Sequence, residues 1–433
     1  MVAVLALAAP VAARAELVAP GIASGALAIA ADGSPRVAYV EGAELMLASR
    51  TTSGWTTERV AALPGAGGLV AGIAVSPSGR VAVLAEARTG RWLVVYERGP
   101  RLRRLTSLLG PGVRIGRAGL ALDRRGLPVV AYAEWRPSFD TFLRVVRFER
   151  GRYRARRVTR RGFPPSAIAP AAAPVVMRNG TMRVVEAYGG SGGSAAIDWV
   201  PQRTDWLGQF LYSSPLAALA GGVSAAAAAD GSVHAAWTVG FPTLGTLSVV
   251  LARHGRLAES SLVLDHAVLA GLALTPAGPL LAATDVVDGA DGILTAAVLR
   301  DPAGATLELD GAAASVAATP DGAAQVLLAR DGALEWYAVP ATAPRVALTA
   351  ASAPGGVALS GTVVGANGGS VTLYRERPGA DRVAIASAPL SPDGSFSAVD
   401  DAPGGPAFYR AVFADPATGL PAASLLRSAV GPG

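Results

Sequence analysis

Cysteine and lysine are both absent from this 433-residue sequence, and it has only three histidines. Without cysteine the chain can form no disulfide bond, cysteine metal site or thiol nucleophile. Without lysine it cannot contain a Walker-type phosphate-binding loop. Because no two histidines have the spacing of a metal-binding motif, we expect neither a metal nor another cofactor.

The three histidines are interpreted from their neighbours. His234 lies in an apolar segment beside Trp237, which indicates a packed or hydrogen-bonded core position. His254 and His266 lie near the edges of the predicted blades, where we expect them to be solvated. The string Gly189–Gly193 matches G-x-S-x-G, but no helix pattern follows it, so a nucleophile elbow is not expected. The sequence therefore gives no candidate catalytic set built on serine and histidine.

Charge is distributed unevenly along the chain. The net charge is +6, yet the segment from Arg101 to Arg161 alone contains 17 arginines and only four acidic residues. Arginine on an exposed edge strand is expected for solubility, so a solvated edge is one interpretation. An anionic wall polymer or acidic polysaccharide is the other, and it is favoured over nucleic acid for an exported chain.

The first fifteen residues form a short apolar run that ends in Ala13-Arg14-Ala15. This small-x-small pattern predicts a signal peptide, residues 1–15, cut before Glu16. The run is shorter than the about 20 apolar residues that span a bilayer. We therefore expect an exported protein, extracellular or associated with the cell surface, without a transmembrane segment after cleavage.

Seven related segments recur along the chain, and Ala118–Glu134 (AGLALDRRGLPVVAYAE) shows the pattern best. Each reads as an apolar strand, a glycine turn and a second apolar strand. The turn glycines are spaced by 44 to 54 residues, a period typical of solenoids and propellers: Gly33, Gly79, Gly126, Gly180, Gly231, Gly278 and Gly322. Third and fourth strand patterns follow without helical periodicity, which predicts the blades of a β-propeller.

The ends of this repeat predict how the ring closes. The seventh copy stops after three strands, at Val339, whereas Glu16–Gly21 resembles the fourth strand Glu58–Gly65 of the first copy. We therefore predict an all-β protein in which the N-terminal strand closes a seven-bladed propeller over residues 16–340. Shorter, more closely spaced strands then predict an immunoglobulin-like β-sandwich over residues 341–433.

The hairpins resemble those of exported bacterial seven-bladed propellers of the WD40, YVTN and BNR-like superfold, whose blades read roughly IALDxxGxPHIAYxD. Residues 120–132 (LALDRRGLPVVAY) match this pattern best. Ser391–Phe396 and Phe408–Val412 resemble pieces of the Ig-like modules of secreted bacterial proteins. The WD and GH dipeptides and the sialidase Asp-box are missing, so the resemblance implies an architecture and little about function.

Acidic residues follow the turn glycine by six to eight positions in five copies: Glu41, Glu86, Glu134, Glu186 and Asp285. Each falls near the end of a second strand, and the predicted fold places those ends on one face. Such carboxylates could bind sugar hydroxyls or a cation, or act as an acid/base pair. Trp135 could stack on a sugar or cover the blade. Alternatively, a polar residue at a strand end simply enters water.

These observations predict an exported, non-catalytic binding or scaffold protein, in which the propeller face engages an extracellular glycan, wall polymer or protein. The alternative is a polysaccharide hydrolase or lyase that uses the five carboxylates. Nothing in the sequence identifies the ligand itself.

Overall fold

A computed structural model describes residues 15–63, 67–86, 92–98, 103–108, 114–135, 140–150, 152–162, 170–190, 193–203, 205–214, 218–241, 246–289, 292–339, 344–366, 368–377, 380–401, 406–414, 421–424 and 427–430. Within these ranges the chain is almost entirely β-strand and contains no helix. None of these segments is therefore a helix able to cross a membrane. Residues 1–14 of the predicted signal peptide and residues 340–343 of the predicted linker lie outside the described ranges.

Successive stretches of the described chain form separate antiparallel sheets, numbered here in chain order, and each begins with a predicted hairpin. A single strand precedes them, β1 (Glu16–Ala19). Sheet 1 consists of β2 (Gly25–Ile29), β3 (Pro35–Glu41), β4 (Glu44–Thr51) and β5 (Gly54–Ala62). Sheet 2 consists of β6 (Leu69–Val75), β7 (Val81–Glu86), β8 (Trp92–Arg98) and β9 (Arg103–Leu108).

The next three sheets repeat this order. Sheet 3 consists of β10 (Arg114–Ile115), β11 (Gly119–Leu122), β12 (Pro128–Trp135), β13 (Asp140–Glu149) and β14 (Arg152–Gly162). Sheet 4 consists of β15 (Ala171–Val176), β16 (Met182–Gly190), β17 (Gly193–Pro201) and β18 (Trp206–Ser214). Sheet 5 consists of β19 (Ala218–Ala227), β20 (Val233–Phe241), β21 (Thr246–His254) and β22 (Ala258–Asp265).

Two further sheets complete the repeat. Sheet 6 begins with β23 (Ala267–Thr275), β24 (Gly278–Gly289), β25 (Gly292–Arg300) and β26 (Thr306–Asp310). Sheet 7 contains β27 (Ala312–Ala318), β28 (Ala324–Arg330) and β29 (Ala333–Ala338), and its fourth strand is β1. In that pairing Glu16 lies opposite Trp336 and Ala19 lies opposite Leu334. The N-terminal strand thus occupies the position beside β29 that the sequence predicted for it.

The first strands of the seven sheets contact one another in a closed cycle. Strand β2 contacts β6, and the contacts continue through β11, β15, β19, β23 and β27, which in turn contacts β2. The buried apolar residues form clusters between neighbouring sheets, as between sheets 1 and 2 and between sheets 7 and 1. A sheet covered on both faces needs apolar residues at consecutive positions, and residues Val81–Ala85 of β7 are all buried.

The hairpin turns have the backbone geometry that the sequence predicted. All seven turn glycines adopt a positive φ, between 72° and 135°. At Gly126 the turn is closed by a hydrogen bond from its N–H to the carbonyl of Asp123, and the Asp123 side chain accepts the Arg125 N–H at 2.8 Å. Such a turn requires the left-handed conformation that glycine adopts without strain.

The C-terminal part of the chain packs directly on sheets 6 and 7. Its strands are β30 (Arg345–Ala353), β31 (Gly356–Val364), β32 (Ser370–Arg377), β33 (Ala380–Pro389), β34 (Ser395–Asp400), β35 (Pro406–Ala414), β36 (Pro421–Ala423) and β37 (Arg427–Val430). Strands β30, β31 and β34 extend sheet 6 beyond β26, whereas β33, β32, β35, β36 and β37 form a separate sheet. One apolar core runs through both of these sheets and sheet 7, so the two parts of the protein are docked.

Candidate functional site

The five predicted carboxylates all lie on second strands, but not at equivalent heights. Glu41 and Glu86 are the last residues of β3 and β7, and Glu134 is one residue from the end of β12. Glu186 and Asp285 lie four residues before the ends of β16 and β24, because these two strands continue to Gly190 and Gly289. They are therefore set back from the loop ends.

Two of these carboxylates are buried against a partner within their own sheet. Glu134 is 4% exposed and forms an ion pair with Arg144 at 2.6 Å. Glu186 is 1% exposed, and its Oε2 accepts a hydrogen bond from Trp199 Nε1 at 3.0 Å. The side chain of Trp135, predicted as a stacking platform, lies outside the described residues, and its backbone pairs with Arg114 in β10.

Asp285 belongs to a buried charge cluster that joins sheet 6 to the C-terminal part. Arg410 of β35 is 2% exposed, and its Nη2 contacts Asp285 Oδ2. Its Nη1 donates to Glu308 at 2.7 Å and its Nε donates to Glu376 at 3.0 Å. Burial opposes the charge of Arg410, but the three carboxylates outweigh it and raise the pKa of the guanidinium. Burial raises the pKa of Asp285, which Arg410 partly offsets.

Glu86 is held by the beginning of the neighbouring sheet, whereas Glu41 is exposed at the end of β3, beside the turn to β4. The Ala118 N–H donates to Glu86 Oε1 at 3.3 Å. Burial raises the pKa of Glu86, against the opposing effects of this hydrogen bond and of Arg117. The predicted carboxylates thus have different environments, and the described residues contain no group of three His, Asp or Glu arranged to hold a metal ion.

The raised pKa of Glu86 predicts a pH-dependent effect of Glu86→Gln. Above the ordinary value of 4.5 the unfolded carboxyl ionises more readily than the folded one, so Glu86 lowers stability as the pH rises. Glutamine keeps an oxygen acceptor for Ala118 and removes this penalty. We expect thermal unfolding to show a slightly higher Tm for the variant at pH 8 and no difference near pH 4. Glu41→Gln serves as the exposed control, and a lower Tm of Glu86→Gln at pH 8 would contradict the prediction.

A cavity of about 930 Å³ opens at the opposite end of the strands from these carboxylates. It is called the turn-face cavity here. The hairpin turns of sheets 1, 2, 5, 6 and 7 line it, with residues 29–31, 75–77, 227–230, 274–279 and 318–320, His234 and Arg253. Most of these positions are alanine, proline or aliphatic residues. The sequence did not predict the cavity, because it forms only where turns from five sheets meet.

The charged groups and the histidine of the turn-face cavity come from sheet 5, whereas sheets 2, 6 and 7 contribute the hydroxyls of Ser76, Thr275 and Thr319. Arg253 forms an ion pair with Asp230 at 2.7 Å, and Asp230 also accepts a hydrogen bond from the Ser232 hydroxyl at 2.7 Å. The hydrogen bonds from Ser232 and Arg253 hold the pKa of Asp230 well below its usual range. His234 Nε2 lies 3.4 Å from Ser232 Oγ. Burial, with the nearby Arg253, lowers the pKa of His234 against the effect of Asp230, which favours a neutral ring.

The order of these contacts differs from that of a hydrolase triad. In a triad the histidine contacts the serine through one ring nitrogen and the acid through the other. Here Asp230 contacts Ser232, and the His234 Nδ1 atom is buried without a hydrogen-bond partner in the described structure. Ser232 is itself buried. The arrangement therefore lacks an oriented base and an accessible nucleophile.

His254 is buried, so the prediction that it is solvated was wrong. Its Nδ1 lies 2.6 Å from Asp198 Oδ2, and Asp198 Oδ1 accepts a hydrogen bond from Arg183 Nε at 3.1 Å. Asp198 and Arg183 belong to sheet 4, which covers the end of β21 in sheet 5. His234 is buried, as the sequence predicted, and His266 packs edge-on against Phe408 at 4.5 Å.

No protein-family model and no curated protein match this sequence. One similar solved structure is the SapL1 lectin in complex with alpha methyl fucoside, with 12% identity, coverage of 68% of this chain and 96% of that chain, and a TM-score of 0.43. The WD40 domain of SCAP from fission yeast is 9% identical, and the match covers 75% of this chain and 98% of that domain with a TM-score of 0.39. A puromycin hydrolase is 14% identical, and the match covers 81% of this chain and 59% of the hydrolase chain with a TM-score of 0.47. The lectin and WD40 neighbours are propeller-like all-β folds, and the likeness extends to that coarse architecture alone.

Proposed function

We propose that the chain is an exported, non-catalytic binding protein, built as a seven-bladed propeller over residues 16–340 and an immunoglobulin-like sandwich over residues 341–433. The closed cycle of first strands supports the propeller. The two C-terminal sheets around one core support the sandwich. The apolar run before Glu16 supports export.

The observation that carries the proposed function is the turn-face cavity with the ion pair of Asp230 and Arg253 on its wall. The pair offers carboxylate acceptors beside guanidinium donors, which suits a ligand rich in hydroxyl groups and without net charge. Around it the described lining is uncharged and mainly apolar, with a few hydroxyl groups, as is usual for ligand sites. The cavity therefore fits one end of a neutral extracellular glycan.

The enzyme alternative has weaker support. Glu134, Glu186 and Asp285 are buried, and each is already bonded to a different partner. An acid/base pair needs two carboxyl groups on either side of a substrate bond. Arg144, Trp199 and Arg410 would have to be displaced before these carboxyl groups could act on a substrate. The arrangement therefore favours binding over catalysis.

The test is binding of the full chain to an array of neutral glycans and soluble polysaccharides. We expect Asp230→Ala/Arg253→Ala to raise the Kd of a bound glycan about tenfold or more, since several hydrogen bonds to the ligand are lost. Glu44→Ala/Arg59→Ala removes an exposed pair of sheet 1 at 3.0 Å and is the matched control, which should leave the Kd unchanged. Absence of any bound glycan, or an equal Kd in the Asp230 and Arg253 double variant, would count against this proposal.

A further inference from the structure

The most basic element of the protein is the β13–β14 hairpin, residues 140–162, which is called the basic hairpin here. It contains nine arginines and two acidic residues. Strand β14 is the outermost strand of sheet 3, and no other described strand pairs with its outer edge. None of the described residues of sheet 3 lines the turn-face cavity. The basic hairpin is therefore a separate surface from the proposed glycan site.

Protection of a sheet edge does not require this much charge. Strand β18, the outer strand of sheet 4, contains no charged residue, and Leu207 and Phe210 are exposed on it. Strand β22 of sheet 5 contains only two acidic residues and exposes Leu262. Because the outer strands of sheets 4 and 5 have no arginine, and β9 of sheet 2 has only two, solubility alone does not explain the many arginines of β14.

The register of the basic hairpin places like charges directly opposite each other. Arg144 lies opposite Arg157, and Arg147 lies opposite Arg154. Side chains at such positions have Cβ atoms about 5 Å apart, and like charges there are destabilising. The Nε–H of Arg154 is also buried without a hydrogen-bond partner in the described structure. A local arrangement that opposes folding is expected at functional sites.

The nearby carboxylates neutralise only some of these arginines. Glu149 pairs with Arg156 at 2.5 Å and also contacts Arg147. Hydrogen bonds from these two arginines lower the pKa of Glu149 to about 2. Glu134 pairs with Arg144. Arg152 and Arg157 are exposed. Neither forms an ion pair with a carboxylate of the described residues, although Arg152 lies opposite Glu149 in the strand register.

We propose that the basic hairpin binds a linear anionic polysaccharide along the open edge of β14. The strand has eleven residues, which corresponds to about 36 Å of extended chain. Its arginines lie on both faces. Arg152, Arg154 and Arg156 share one face, Arg157 alternates onto the other, and the register shift near Arg144 places Arg160 on the same face as Arg157. Guanidinium groups bind carboxylate and sulfate groups in a bidentate manner. A flexible polyanion can therefore neutralise both faces.

The aromatic rings of the hairpin favour a polysaccharide over a nucleic acid. Proteins that bind single-stranded nucleic acid stack bases on open aromatic rings. Here Phe148 and Tyr153 pack edge-on at 5.1 Å, and the guanidinium of Arg125 lies over Phe148 at 5.9 Å. Arg144 and Arg160 lie over Phe142 at 5.5 Å and 5.8 Å. The rings are thus already covered by other side chains.

Binding of dextran sulfate to the full chain tests this proposal, with neutral dextran and a DNA oligonucleotide of equal charge as comparisons. We expect dextran sulfate to bind, and Arg152→Ser/Arg157→Ser to raise its Kd about tenfold at low salt. The slope of log Kd against log salt should fall by about two, one for each lost charge contact. Affinity should not change between pH 5 and pH 9, because arginine stays charged and Glu149 ionises near pH 2.

The matched control is Arg178→Ser/Arg256→Ser, which removes two exposed arginines from the turns of sheets 4 and 5 and should leave the Kd unchanged. Arg178→Ser/Arg256→Ser should keep the wild-type Tm, and Arg152→Ser/Arg157→Ser should keep or slightly raise it, since Arg157→Ser removes a like-charge contact. Arg152→Lys/Arg157→Lys should retain the salt slope. The proposal would be overturned if dextran sulfate did not bind, or if both serine variants raised its Kd equally. It would also be overturned if the oligonucleotide bound more tightly than dextran sulfate.

Discussion

Replacing Arg410 with leucine should lower the free energy of unfolding by about 3–5 kcal/mol, the usual result of removing one partner from a buried charge cluster. The reason is that three carboxylates, Asp285, Glu308 and Glu376, then share a site without a cation. Urea unfolding at pH 7 measures this loss. The same cluster joins sheet 6 to the C-terminal part, so both parts should unfold at a lower urea concentration.

The pH dependence of Arg410→Leu separates the loss of charge pairing from the loss of packing. Burial without a cation favours the protonated carboxyl groups, so the variant should regain stability as the pH falls from 7 towards 4. Adding Asp285→Asn to Arg410→Leu should restore part of the loss, because one of the buried charges is removed. If Arg410→Leu lowers the free energy of unfolding by the same amount at pH 7 and at pH 4, the loss comes from packing and not from charge pairing.

The matched control for Arg410→Leu is Arg427→Leu. Arg427 is an exposed arginine of the same C-terminal part, and its Nε donates to the Leu348 carbonyl at 3.0 Å. Loss of one such hydrogen bond should cost about 1 kcal/mol. An equal loss in the two variants would contradict a special role for the buried cluster.

The hairpin repeat was predictable from sequence because its signals are local. A turn glycine and two apolar strands lie within about fifteen residues, and the same pattern recurs along the chain. Each copy therefore independently supports the same backbone geometry, which the positive φ at Gly126 and the other turn glycines shows. The pairing of β1 with β29 followed from a comparison of two similar short segments.

The candidate sites were not predictable in the same way, because they depend on contacts between distant residues. Arg410 and Asp285 are 125 positions apart in the chain. The sequence pattern therefore groups Asp285 with the other carboxylates at strand ends and gives no sign of its contact with Arg410. His254 lies at a strand end that its own sequence makes appear exposed, but a neighbouring sheet covers it. The turn-face cavity similarly requires the relative positions of five sheets.

A chain that begins at Pro20, and so lacks β1, should lose at least about 4 kcal/mol of stability. Burial of Val18 and Ala19 and several backbone hydrogen bonds to β29 are lost together. The ion pair of Glu16 with Arg50, at 2.7 Å and partly exposed, adds little. The uncovered edge of β29 should also promote association between chains. Thermal unfolding and size-exclusion chromatography measure the two effects.

Two substitutions within β1 distinguish closure of the ring from a general effect of shortening the chain. Val18 is 7% exposed and Leu17 is 57% exposed, although they are neighbours. Val18→Ser should cost about 2 kcal/mol, and Leu17→Ser should cost less than about 0.5 kcal/mol. A peptide of residues 15–21 should raise the Tm of the shortened chain, because it can occupy the free edge of β29. If the shortened chain keeps the wild-type Tm, β1 does not close the ring, and the cyclic packing of β27 on β2 must suffice by itself.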